Sequence, residues 1–239
     1  MNRLPLAAAG VAAVGAAVYG AAFWGRSQVF GRFPYAAQTA EPVVALTFDD
    51  GPNEPYTSEL LAVLADRDVH ATFFEVGRCA ERHPTLPAQI VAAGHVLGNH
   101  SYSHSFSRYL TQPRQQAEIE RAEQVLTDLA GVRPALYRPP WLCHWPWVLG
   151  SIRQAGMQVV SGDFGHEAEI FQPPGERMAA RAASLTRPGS ILIFHDGVES
   201  RGGRRDQSVA AVGPLIDRLR DEGYGFATAD ELLGVPAYR

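Results

Sequence analysis

From Pro42 onward the chain alternates between two textures, and that alternation limits its fold more than any other feature. Short apolar, β-prone runs lie at Val43–Phe48, Ala71–Val76, His95–Gly98, Ala135–Tyr137, Met157–Ser161, Ser190–Phe194 and Gly225–Thr228. Segments of helical character follow them: Thr57–Asp66, Pro84–Ala93, Gln112–Leu129, Trp145–Ala155, Gly175–Leu185, Asp206–Glu222 and Asp230–Leu233. In Gln112–Leu129 the residues Ile119, Ala122, Val125, Leu126 and Leu129 recur at helical spacing and form one apolar stripe. Short apolar runs closed by Gly or Pro read as buried strands. A succession of such strand–helix units predicts an α/β fold with a parallel sheet, here a distorted (β/α)7 barrel, closed or nearly closed.

Composition allows this. The chain is 46% hydrophobic and 19% charged, which suits a real core and excludes disorder. Its net charge is −4, every cationic side chain except histidine is an arginine, and no dense basic patch points to nucleic acid. Cys79 and Cys143 are far apart in sequence; a disulfide, two buried thiols and site residues are all compatible with them.

The stretch Leu4 to Trp24 carries no charge and is rich in Ala, Gly and Val, with Arg3 in front of it. A helix needs roughly 20 apolar residues to span a bilayer, and a preceding cation orients the remainder outward. Residues 1–24 therefore read as a signal-anchor, or as a signal peptide cleaved near Gly15-Ala16-Ala17 or Gly20-Ala21-Ala22. Either form would put the rest of the chain outside the cytoplasm. Residues 25–41 read as a linker, and 42–235 as one catalytic-sized domain.

Polar residues gather where the strands end. Asp49 and Asp50 follow the first strand, His100 the third, Arg138 the fourth, Asp163 the fifth, and His195 with Asp196 the sixth. In a parallel barrel these ends converge on one face, where such folds keep their chemistry. Two adjacent carboxylates are also what an ordinary turn carries, one of them capping the next helix. His100 and His104 are four apart, so one helical turn would put both imidazoles on one side. With a strand-end aspartate they make an N/N/O donor set that suits zinc and leaves a position open.

Thr47-Phe48-Asp49-Asp50-Gly51-Pro52 followed by His100-Ser101-Tyr102-Ser103-His104 resembles the polysaccharide deacetylase family, the NodB-homology carbohydrate esterases. Arg138-Pro139-Pro140-Trp141 resembles the family's third motif and Ile191-Leu192-Ile193-Phe194-His195-Asp196 its fifth. The resemblance implies removal of N-acetyl, or else O-acetyl, groups from an extracytoplasmic polysaccharide such as peptidoglycan or a chitin-like glycan. It implies Asp49 as general base, Asp50, His100 and His104 as metal ligands, and His195 as general acid. It further implies that Arg138 pairs with Asp49, and that a backbone N–H near Trp141 meets the oxyanion. Trp141, Pro140 and Asp163 are the substrate-side candidates. Two departures stand out: Leu142 follows Trp141 where the family commonly has Gly, and the fourth motif is not recognisable in Val160–Glu167. There Asp163 or Glu167 is the expected carboxylate for His195, with His166 as a further candidate. The departures keep two alternatives in view, a non-catalytic glycan-binding protein on the same fold and a hydrolase of another acyl or C–N bond.

Overall fold

The computed structural model describes residues 4–166, 168–198 and 203–239, the side chains at 4–12, 110 and 113 excepted. Strands β1 (Val43–Asp49), β2 (Thr72–Glu75), β3 (Val96–Asn99), β4 (Leu136–Tyr137), β5 (Gln158–Val159), β6 (Asp163–Phe164), β7 (Ile191–His195) and β8 (Gly225–Phe226) form one sheet. Every strand pair in it is parallel, in the order β5-β4-β3-β2-β1-β7-β6, with β8 paired to β1. All seven expected strands are present. The two-residue β6 is additional; it has no apolar run of its own and exists because its backbone pairs with Leu192 and Ile193 of β7.

β5 and β6 stand at opposite edges of that order, yet only Val160–Gly162 separates them in sequence. Chain of that length reaches on the order of 10–13 Å. The sheet must therefore curl until its edges nearly meet, which is the distorted barrel. Residues 25–37 lie along the seam. The Ser161 amide donates to the Pro34 carbonyl (2.9 Å) and the Ser161 hydroxyl to that of Gly25 (2.7 Å). Ala36 bridges Ser190, and Arg26 grips Asp163 through two hydrogen bonds of 2.7 Å. A segment whose composition reads as a linker is thus fastened to the domain, largely through backbone groups that leave no periodic trace in sequence.

The helices are α1 (Leu4–Phe23), α2 (Tyr56–Ala65), α3 (Gly77–Arg82), α4 (Leu86–Ala92), α5 (Gln112–Ala130), α6 (Pro146–Gln154), α7 (Gly175–Leu185), α8 (Asp206–Asp221) and α9 (Ala229–Leu233). Strand alternation sorts the core into two layers. Leu46, Phe48, Phe73 and Phe194 face the helices and pack with Leu60, Leu64, Val212 and Leu215. Ala45, Phe74, Leu136 and Ile191 fill the barrel interior. In α5 the expected stripe is buried at Ile119, Ala122 and Leu126, and Gly131 ends the helix in a left-handed turn (φ 72°), as helix C-termini favour.

Cys79 and Cys143 are free, buried thiols, pushed up to about 12 and about 11 by burial. Among the described residues no helix is long and apolar enough to cross a membrane; the side chains of α1 are described from Ala13 on.

Candidate active site

Register assembles the site. Asp49, at the end of β1, stands level with His195 of β7, and Asn99 of β3 stands level with Tyr137 of β4, immediately before Arg138. Three strand ends thereby deliver Asp49, His100 and His195 to one cavity of about 230 Å³, walled also by Trp141, Leu142, Phe164, His166, Glu169, Ile170 and Arg205, while the fourth sets Arg138 beneath Asp49, out of the wall.

Arg138 is fully buried and spends its guanidinium on four acceptors. It donates to Asp49 Oδ1 (2.7 Å), Thr47 Oγ1 (2.6 Å) and the carbonyls of Ser161 (3.1 Å) and Val160 (3.3 Å). Thr47 and Asp49 are two apart on β1, so both side chains face the barrel interior and one guanidinium reaches both. A buried pair of this kind fixes the Asp49 carboxylate in place.

Asp50 turns away through a left-handed residue (φ 77°) and its Oδ1 lies 3.1 Å from His104 Nε2 and 3.4 Å from His100 Nε2. The two histidines do not share a helical turn, contrary to what their spacing suggests. His100 follows β3, and left-handed backbone at Ser101 (φ 68°) and His104 (φ 48°) folds the loop back until the rings are 5.1 Å apart. The Asn99 side chain accepts from the Ser101 amide, the Ser101 hydroxyl accepts from the His104 amide, and Glu118 accepts from both the amide and the hydroxyl of Ser103. Trp141 and Leu142 are left-handed too (φ 54° and 52°). Non-glycine residues in this region cost of order 1–3 kcal/mol each and persist where surrounding bonds over-determine them, characteristically at functional sites.

The donor chemistry fits a cation. The Arg138 carbonyl lies 2.7 Å from His100 Nδ1; a carbonyl can only accept, so Nδ1 carries a proton and Nε2 is the ring nitrogen turned toward Asp50. That outer hydrogen bond is the usual means of orienting a metal-ligating histidine. One ligand atom each from Asp50, His100 and His104 falls within 4.8 Å of the others, the group expected from the sequence. Burial would push the Asp50 carboxyl up, but His104 and His100 overcome it and hold the group well below the usual carboxylate range.

Across the cavity, His195 Nδ1 lies 2.8 Å from Glu169 Oε2, and the His195 amide donates to Glu169 Oε1 (3.0 Å). Ser208 donates to the same Oε1 (2.6 Å). Burial would strip the imidazolium of its proton; the Glu169 carboxylate, helped by Asp50 and Asp49, reverses this and pushes His195 up to about 9. Glu169 is in turn lowered: burial opposes ionisation, and His195, Ser208 and Arg205 outweigh it.

The carboxylate partner of His195 is therefore Glu169, and Asp163 is not. Asp163 sits on β6 and is held by Arg26. Glu167 lies outside the described residues. His166 lines the cavity, with its Nδ1 accepting the Ala168 amide. Trp141 lines the cavity 4.4 Å from the His104 ring, whereas Pro140 is buried behind it and Pro139 takes the wall position. Glu169 escaped notice because it lies in a single-turn 3-10 helix, Glu169–Phe171, rather than at a strand end. Its one sequence signal is an acidic residue directly ahead of two apolar ones, Ile170 and Phe171.

A parallel, nearly closed barrel whose cavity holds an aspartate braced by a buried arginine, an aspartate–histidine–histidine group and a histidine–glutamate pair has the make-up of a hydrolase site. Residues 36–160 match the polysaccharide deacetylase family, and this chain belongs to that family. It is 36% identical over 196 residues to a chitooligosaccharide deacetylase of Sinorhizobium fredii, covering 78% of this chain and 89% of that one. It is 31% identical over 194 residues to a peptidoglycan-N-acetylglucosamine deacetylase of Bacillus cereus, covering 81% and 89%. Among solved structures, the Bc1960 peptidoglycan N-acetylglucosamine deacetylase superposes with a TM-score of 0.77 at 27% identity, over 86% of this chain and 94% of that one. A CE4 family pseudoenzyme from Bacillus anthracis superposes almost as well, with a TM-score of 0.76 at 21% identity over 84% and 68%. The fold alone thus does not decide activity, and the site residues must.

Proposed function

We propose that this chain is a cation-dependent deacetylase that removes N-acetyl groups, rather than O-acetyl groups, from an extracytoplasmic glycan of the peptidoglycan or chitin-like class. The observation that carries this reading is that one cavity is lined by Asp49, which Arg138 holds from below, by the His195–Glu169 pair and by the aspartate–histidine–histidine group. A module that only binds glycan has no use for a buried base and a buried acid facing each other. The replaced fourth motif, which motivates the non-catalytic alternative, is answered by Glu169 in the tuning position.

Asp50, His100 and His104 would hold the cation, and two imidazoles with one carboxylate suit zinc. Bound there, it supplies Lewis-acid polarisation of the acetyl carbonyl and acidifies water. Asp49 takes the proton of the attacking water, and Arg138 keeps that carboxylate aimed. A backbone N–H at Trp141 donates to the developing oxyanion. His195 protonates the departing amine nitrogen from Nε2, because Nδ1 is committed to Glu169. Trp141 offers an aromatic wall to the sugar.

The test is acetate release from a panel of acetylated glycans, with chelator and with added zinc. Asp50→Ala and His104→Ala should lose both zinc binding and acetate release, and full turnover in either refutes the assignment. Asp49→Asn should retain zinc by calorimetry and lose turnover; loss of zinc there would exchange the roles of the two aspartates.

The reading includes α1 as a signal-anchor holding the catalytic domain outside the cytoplasm. Its support is the uncharged run from Leu4 to Trp24 behind Arg3.

A further inference from the structure

The far end of α1 meets the domain at the rim of the catalytic cavity. The Ala22 carbonyl accepts the His144 amide at 2.7 Å, and Phe23 packs on Trp145 and Phe106, each 6.3 Å between ring centroids. Phe106 in turn lies 5.4 Å from Trp141, whose ring is 4.4 Å from that of His104. A Cβ added to Gly25 would come within 2.8 Å of the Leu142 side chain, which lines the cavity, and Arg26 holds Asp163, the neighbour of the wall residue Phe164. Residues 22–26 therefore meet the domain next to two wall residues of the cavity, Leu142 and Phe164, with no slack chain between helix and domain.

Ahead of that junction, Ala13 to Tyr19 are exposed all round, and they carry no charge. An exposed apolar turn of helix that its own domain does not cover favours hydrocarbon over water. In sequence the uncharged run continues back to Leu4, about the roughly 20 residues that a bilayer crossing needs. Tyr19 and Trp24, 67% and 64% exposed, sit at its domain end, where aromatic residues favour the membrane interface. Beside the cavity, Ile170 and Phe171 are 60% and 84% exposed, an apolar rim that a fully hydrated polysaccharide does not require.

We propose that the cavity opens at the membrane surface and that its substrate is a lipid-linked saccharide, an acetamido sugar joined to a lipid tail, with the rim at Ile170 and Phe171 resting against the interface. This rests on the deacetylase and signal-anchor readings above and narrows them: a helix fastened to the mouth without a spacer keeps the site within a sugar or two of the headgroups.

The test uses the full chain reconstituted in phosphatidylcholine–phosphatidylglycerol vesicles, with acetate release as readout. Three substrates carry the same N-acetylglucosamine disaccharide: free in solution, linked directly to a polyisoprenyl phosphate, and linked to the same lipid through a long polyethylene glycol spacer. The spacer arm keeps the enrichment at the surface but lifts the sugar away, so it separates site height from mere co-localisation. The directly linked substrate should turn over at least tenfold faster than the spaced one. Trp24→Ser and Phe171→Ser should narrow that ratio while leaving turnover of the free disaccharide unchanged. A spaced substrate that is equal or better, a free disaccharide preferred over both, or a full chain that remains off the vesicles as a soluble self-associated species overturns the inference and leaves deacetylation standing. No acetate from any of the three, with zinc bound, overturns the deacetylase reading itself.

Discussion

Replacing Glu169 by Gln should move the alkaline limb of the pH–rate profile and do little else. The amide keeps the size and can still accept from His195 Nδ1, but the negative charge is gone. Glu169 is the foremost influence raising His195, whose pKa lies at about 9 against an ordinary 6.5, while burial works in the other direction. Without that charge burial prevails, and the histidine falls to its ordinary value or below. The sign follows from its role: the general acid acts when protonated, so the rate is lost as pH rises through the histidine's pKa. A drop from about 9 to about 6.5 takes the protonated fraction at pH 8 from about nine-tenths to about 3%, roughly a 30-fold loss, and at pH 7 only about 4-fold. A cation between Asp50, His100 and His104 would offset the help from Asp50 in both proteins alike, so the comparison isolates Glu169. The assay is kcat/KM for acetate release from pH 5 to 10, with a parallel NMR titration of the His195 ring. Alkaline limbs that coincide, with rates reduced equally at all pH values, would refute the electrostatic role and leave Glu169 a merely structural contact.

Two further substitutions probe the buried charges. Arg138→Ala strands the Asp49 carboxylate and leaves two carbonyls without a donor, so it should destabilise by about 3–5 kcal/mol in urea unfolding, and a loss under 1 kcal/mol would contradict the buried pairing. Glu75 is fully buried at the end of β2, neither carboxylate oxygen has a hydrogen-bond partner among the described residues, and its pKa is raised by burial and by Asp196, Asp49 and Asp50. Glu75→Met should therefore stabilise at neutral pH by about 1–3 kcal/mol, seen as a higher Tm; a lower Tm would show that the carboxyl has a partner worth more than its desolvation.

Much of the barrel is legible in the chain because burial on both faces forces short, continuous apolar runs, and turns force Gly and Pro between them. Asp49, Asp50, His100, Arg138 and His195 could be picked out for the same reason: a parallel sheet sends every strand's carboxyl end to one side. What periodicity does not encode is pairing without pattern. The two-residue β6 and the seam-covering 25–37 segment exist through backbone hydrogen bonds that any sequence can make. The loop from His100 to His104 brings its rings together through left-handed residues, whereas their four-residue spacing suggested a helical turn.

Sequence alone therefore determined the fold class and marked Asp49, Asp50, His100, Arg138 and His195 as polar residues at strand ends; the roles of base, ligand and acid are what the family resemblance implies. Only the tertiary structure decided that Glu169, 26 residues before His195, is its charge partner, and that Asp163 belongs to Arg26 instead. The reason is physical. A carboxylate's partner is set by distance across folded space, and the 3-10 turn carrying Glu169 reaches the cavity only because β6 and β7 pair. The same holds for the end of α1 at the cavity mouth: its apolar length is written in the chain, and its place beside Trp141 and Leu142 comes from packing alone.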